Sequence, residues 1–281
     1  MLLILRVGVS ALVLGVILSR ISAAELLARA ADGAPAYLAA GLALSALAVV
    51  LVALRWRLLA GWLGLPVPVG LAVRALFLAV FGGQVLPAAI GADVLRGWLL
   101  ARHTGAVPRI VASLVADRLV ALFAAGLLVL ASGAATKQLF PSYGALLGPA
   151  VALAAGGVLL AFLLGVPAKL EPRPILFAIA IALAVHAITV LMAVLAARAY
   201  GIDASVGLWL AVVPLSVIVS AIPISVNGWG VREAAIVVLA APLGVPAAEA
   251  LLVSMTLGVL NMAASLPGAL VLLQDRSRRL V

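Results

Sequence analysis

The chain has 281 residues, of which 67% are hydrophobic and 10% charged, with a mean hydropathy of +1.36. A soluble domain is nearer half apolar and a quarter charged, so 18 basic and 9 acidic side chains are too few to coat a water-soluble fold of this size. Cysteine is absent, which excludes a disulfide scaffold, a thiol nucleophile and a thiolate metal site. The formal charge of +9 would point to nucleic acid in a soluble protein. Here no basic run carries interleaved aromatics, and arginine beside membrane spans is the ordinary pattern. The expectation is an all-α polytopic membrane protein, one integral domain over residues 1–281, with no nucleic-acid partner.

A crossing helix needs about 20 mostly apolar residues. In chain order the runs that qualify are 2–19, 36–54, 69–86, 110–131, 145–165, 175–199, 206–224 and 247–273, about eight spans. The first run resembles a secretory leader, with Ser22-Ala23-Ala24 at the place of a cleavage site. Only Arg6 precedes its apolar stretch, so a retained span is the better reading. With an even number of spans both termini share a side. That side carries Arg55, Arg57, Lys137, Arg198, Arg276, Arg278 and Arg279, against Arg20, Arg29, Lys169 and Arg173 opposite. Seven against four places both termini in the cytoplasm, in a cytoplasmic membrane.

Two segments break the pattern alike. Residues 84–108 read QVLPAAIGADVLRGWLLARHTGAVP, and residues 221–246 read AIPISVNGWGVREAAIVVLAAPLGVP. Each has a helix-ending proline, a glycine turn, an arginine, a short apolar helix, then Gly and Pro. Pro87 to Pro223 and Arg96 to Arg232 are both 136 residues, and Pro108 to Pro246 is 138. The expectation is two short re-entrant helical hairpins, about 87–107 and 223–245, related by a weak internal repeat. The repeat is parallel if both are re-entrant and inverted if one crosses. Irregular backbone at membrane depth is tolerated only where protein buries it or water reaches it. Half-helix N-termini there attract anions, and an arginine beside each can grip a phosphate. Interfacial loops with snorkelling arginines are the alternative.

Charges inside spans narrow the site. Arg74 falls in the third run, and Asp117 and Arg118 lie well inside the fourth. Ionisable groups at such depth must meet protein partners or water. Asp117 and Arg118 diverge on a helix and must pair elsewhere, whereas Asp93 and Arg96 can share a face. Arg232 and Glu233, as neighbours, are not expected to pair with each other. One network of Asp93, Arg96, Asp117, Arg118, Arg232 and Glu233 would satisfy all six, and a purely structural ion-pair lock is the competing reading. His186 and Asn261, mid-span, are read as interhelical hydrogen-bonding residues. Pro214 and Pro267 are read as helix kinks, and the five tryptophans as mostly interfacial anchors.

Residues 81–100, FGGQVLPAAIGADVLRGWLL, together with Asp117-Arg118 and GWGVREAA at 228–235, resemble the lysylphosphatidylglycerol synthase transmembrane (flippase-like) family. Two positions depart from its pattern: Ala121 stands where a further Asp is frequent, and Ala92 where a second Gly is common. The resemblance implies a lipid-translocating module with eight spans. It further implies a stand-alone member, without the aminoacyl-transfer domain that follows this module in the synthases. The expected partner is a membrane lipid with an anionic, aminoacylated or glycosylated headgroup. Arg96 and Arg232 would bind its phosphate, and Asp93, Asp117 and Glu233 would pose those arginines. Arg118 would hold the hairpins, with Arg74 a further substrate contact.

No His-Glu-x-x-His, Gly-x-Ser-x-Gly, Asp-rich or Gly-x4-Gly-Lys motif occurs, so no catalytic residue, metal or cofactor is expected. The alternatives are an intramembrane transferase acting on a lipid, or a membrane partner of a separate glycosyl- or aminoacyl-transferase.

Overall fold

The computed structural model describes residues 2–19, 23–85, 91–133, 137, 144–165, 171–221, 225 and 228–277. Pro87 and Pro223, which end the helices before the two breaks in the sequence reading, lie outside this set, as does the side chain of His103. The described residues are helical and contain no strand. The first helices are α1 (Leu2–Ser19), α2 (Ala23–Ala31), α3 (Pro35–Trp62) and α4 (Val69–Val85). They are followed by α5 (Gly91–Thr104), α6 (Val107–Ala131), α7 (Gly144–Gly165) and α8 (Pro172–Ala199). The chain closes with α9 (Val206–Ser220), α10 (Val231–Ala240), α11 (Ala247–Ser265) and α12 (Pro267–Ser277).

Local chemistry sets several of these boundaries. Proline stands in the first turn of α3, α6 and α8, where its missing N–H leaves no bond unmade. Ser205 caps α9 by accepting the Leu208 N–H at 3.2 Å. Gly105 (φ +64°) stops α5, and Gly244 (φ +86°) stops the 3-10 turn after α10, so both breaks close on a left-handed glycine. Pro214 sits inside α9, and Pro267 separates α11 from α12, dividing what reads as one apolar run.

Pro35–Trp62, Val107–Ala131, Pro172–Ala199 and Ala247–Leu273 are long and apolar enough to cross a membrane. Gly8–Ile17, Val69–Gln84, Val151–Leu160 and Val206–Ser220 are shorter apolar stretches. The helices α3 and α8 pack along each other at the centre, each 28 residues and so about 42 Å long. Small residues of α8 allow the close approach: Ala178 and Ala182, both fully buried, pack in one cluster with Leu59 of α3. On the flanks, α6 packs against α7, α9 against α10 and α10 against α11. Large side chains facing outward, such as Leu153, Leu176 and Phe177, give the exterior the apolar character of a lipid-facing surface.

Two tryptophans correct the sequence reading. Trp56 and Trp209 are wholly buried rather than interfacial. Trp56 donates its indole N–H to Ser113 Oγ at 3.1 Å, which lets a polar ring enter the core. His186 and Asn261 behave as expected, bonding to the Ala121 carbonyl at 2.9 Å and to Ser45 Oγ at 2.7 Å across helices.

Candidate functional site

The charged residues gather around the middle of α6. Asp117 and Arg118 are near the centre of the 25-residue α6. Asp117 is buried and receives two guanidinium groups, Arg55 Nε at 2.7 Å and Arg96 Nη1 at 2.9 Å. Arg96 is also buried, and its Nε and Nη2 donate to Asp93 Oδ1 at 3.0 and 2.7 Å. The i, i+3 spacing on α5 makes that pair possible, as the sequence suggests. Arg118, turned away from its neighbour Asp117, donates from Nε and Nη2 to Asp93 Oδ2 at 2.8 and 2.7 Å. Asp93 therefore bridges α5 to α6, and Asp117 ties α6 to both α3 and α5.

Arg55 is the member that sequence reading missed. An apolar run stops at the first arginine, which assigned Arg55 to a loop and to the orientation count. The helix instead continues to Trp62, and Arg55 is buried inside it. The available signal was Arg55-Trp56-Arg57 followed by Leu58-Leu59-Ala60, an apolar pattern resuming at once. Without Arg55 the loop tally is six against four.

The second group sits at the start of α10. Arg232 and Glu233 do pair, contrary to the expectation for adjacent residues: Arg232 Nη2 and Nε reach Glu233 Oε1 at 2.5 and 3.0 Å. The reason lies at the helix end. Glu233 is the third residue of α10 and folds back so that its Oε2 accepts the Gly230 N–H at 2.7 Å. Its carboxylate then lies across the helix terminus, where Arg232 can bend over it. Ser254 of α11 adds a contact at 3.4 Å, and Glu233 is fully buried. The Gly230 amide at the α10 terminus is therefore already matched by an internal carboxylate.

A tryptophan lies beside Arg96 and another beside Arg232. Arg96 lies over Trp56 at 5.2 Å and Arg232 over Trp229 at 4.9 Å, both within cation–π range. Trp229 also donates its indole N–H to Gln84 Oε1 at 3.0 Å, joining the end of α4 to the turn before α10. Gly258 of α11 makes room for this arrangement, since a Cβ there would lie 2.5 Å from Arg232 Nη2 and 2.7 Å from Trp229.

The six expected residues form two groups rather than one continuous network, and both groups meet at a cleft of about 350 Å³. Arg55, Asp93, Arg96, Asp117 and Arg118 line one side, and Ser220, Gly228 and Arg232 the other. The side chains of Arg118 and Arg232 retain 51% and 19% exposure, against 4% for Arg96. The Ser220 hydroxyl is buried without a partner among the described residues. Arg74 does not join the cleft; it is exposed on α4. Among the described residues no cluster of His, Asp or Glu has the makings of a metal site.

Fold and site together define a multi-pass helical membrane protein with a charged cleft set among its spans. The family model for the lysylphosphatidylglycerol synthase TM region matches residues 3–173 and 165–268, and the chain belongs to that family. A search of curated proteins finds no match. Family membership makes this a membrane protein involved in lipid handling.

Proposed function

We propose that the protein is a lipid flippase or scramblase that passes an anionic or modified headgroup through the cleft while the acyl chains stay in hydrocarbon. The observation that carries this reading is the charge of the cleft. Four arginines and two aspartates line it, and with Glu233 set against Arg232 one positive charge remains. One phosphate would neutralise it. Arg118 and Arg232, the two cleft arginines that keep solvent exposure, meet the phosphate in this reading, and Ser220 offers a further hydrogen bond. Arg55 and Arg96, engaged with Asp117 and Asp93, hold the walls.

In this reading the chain crosses a cytoplasmic membrane eight times, through α1, α3, α4, α6, α7, α8, α9 and the α11–α12 unit. Both termini are cytoplasmic. The helices α5 and α10, with 14 and 10 residues, are about 21 and 15 Å long and form the re-entrant arms. The matched left-handed glycines after them support a repeat. The same reading extends to an aminoacylated or glycosylated headgroup, and to a separate transferase that supplies it.

The test is transfer of fluorescent phosphatidylglycerol in proteoliposomes, read by dithionite quenching. Wild type equalises the probe between leaflets, and Arg232→Ala combined with Glu233→Gln, which leaves no buried carboxylate without its cation, abolishes transfer. Transfer at the wild-type rate in that variant overturns the assigned role.

A further inference from the structure

A second concavity begins where the charged cleft ends. Asp93 and Arg118 line both the polar cleft and an apolar groove of about 620 Å³ between α5 and α6. Away from that ion pair the groove walls are wholly apolar: Val94, Gly97 and Trp98 on one side, Val111, Leu114 and Val115 on the other. Gly97 forms the floor, because a Cβ there would press on Leu114 at 3.2 Å and Ile110 at 3.4 Å. Along α6 the groove runs from Val107 to Arg118, 12 residues spanning about 16 Å. That is close to half of the roughly 30 Å hydrocarbon thickness, the depth of one leaflet.

From this continuity we infer that the groove binds one acyl chain of an anionic phospholipid whose phosphate rests on Arg118. The inference rests on the lipid-translocating reading and extends it. The headgroup waits at mid-helix depth in the cleft, and its tail is held back along α5 and α6 toward the surface where α6 begins. A lipid in this pose is turned halfway. Apolar walls alone would not select it, since bulk lipid tails are as apolar as the groove. Selection comes from the charge-assisted bond at the groove's inner end.

The experiment uses the full chain in phosphatidylcholine nanodiscs containing a trace of phosphatidylglycerol with a diazirine midway along one acyl chain. After photolysis, adducts are mapped by mass spectrometry. Groove residues of α5 and α6 are expected to label well above the exposed Leu153, Leu176 and Phe177 elsewhere on the lipid-facing surface. Arg118→Gln should lower groove labelling about tenfold, the order of one charge-assisted hydrogen bond. Val111→Trp, which fills the groove, should remove it while Leu153 labelling stays constant, and Leu114→Phe serves if that variant fails to fold. Even labelling over all lipid-facing helices, or groove labelling indifferent to Arg118→Gln, overturns the inference. Groove labelling without probe transfer would sink the translocation reading alone, and transfer without groove labelling would sink the groove alone.

Discussion

Arg55 and Asp117 stand 62 residues apart in the chain and meet at 2.7 Å with both side chains sealed from solvent. Asp117 also holds Arg96. Replacing it with Ala leaves Arg55 buried without its carboxylate partner and Arg96 with Asp93 alone, so stability should fall by about 3–5 kcal/mol. Thermal unfolding in detergent checks this, and a midpoint within a degree of wild type would refute it.

Gly258 should be a switch for function rather than for folding alone. A Cβ at this position collides with Arg232 Nη2 and the Trp229 ring, both side-chain ends that can shift. Gly258→Ala is expected to cost about 1–3 kcal/mol of stability. Lipid transfer should fall further than that loss explains, because Arg232 is pushed out of place. Comparing transfer rate with unfolding midpoint separates the two effects.

Lysine should not replace Arg232. The guanidinium stacks on Trp229 and donates twice to one oxygen of Glu233, geometry that a point-like ammonium lacks. Arg232→Lys should show transfer reduced about tenfold or more, the equivalent of about 1.4 kcal/mol. Wild-type transfer in the lysine variant would mean that charge alone suffices.

The Gln84–Trp229 hydrogen bond ties the end of α4 to the turn before α10. A double-mutant cycle of Gln84→Leu and Trp229→Phe should give a coupling of about 0.6–1.5 kcal/mol, as for other interhelical bonds. Additive single effects would show that the bond contributes nothing.

Gly268 packs against the backbone of α4, and a Cβ there would run into the Phe77 carbonyl oxygen. Backbone yields less readily than a side-chain tip. Gly268→Ala should therefore destabilise more than Gly258→Ala, by unfolding midpoint in the same detergent.

The sequence and the structure agree where local chemistry decides. The run 2–19 is α1, the ends at Ala131, Gly165 and Ala199 recur, and both breaks close on the Gly that the motif proposes. The pairing of Asp93 with Arg96 was legible because i, i+3 spacing is a local property. Arg55 was not legible, because what permits an arginine inside α3 is an aspartate on α6. Arg232 with Glu233 failed for a different reason. Helix-face geometry applies to the body of a helix, whereas Glu233 lies in the first turn and bends back to the Gly230 amide. Trp56 and Trp209 were misread because composition places tryptophan at interfaces, and only the packing reveals that these two are enclosed.

The contact between α1 and α10 has a consequence for how the chain is made. At Gly230 a Cβ would sit 3.0 Å from the Ser10 carbonyl oxygen, so α1 lies directly on the glycine that opens α10. The two positions are 220 residues apart. At a synthesis rate of about 5–20 residues per second, α1 emerges on the order of 10 to 40 s before its docking surface exists. During that interval it must sit in the bilayer without its final neighbour. Its apolar face, with Leu12 and Val16 turned outward, suits it to wait in lipid. Docking of α1 on this face therefore waits until α10 has been made.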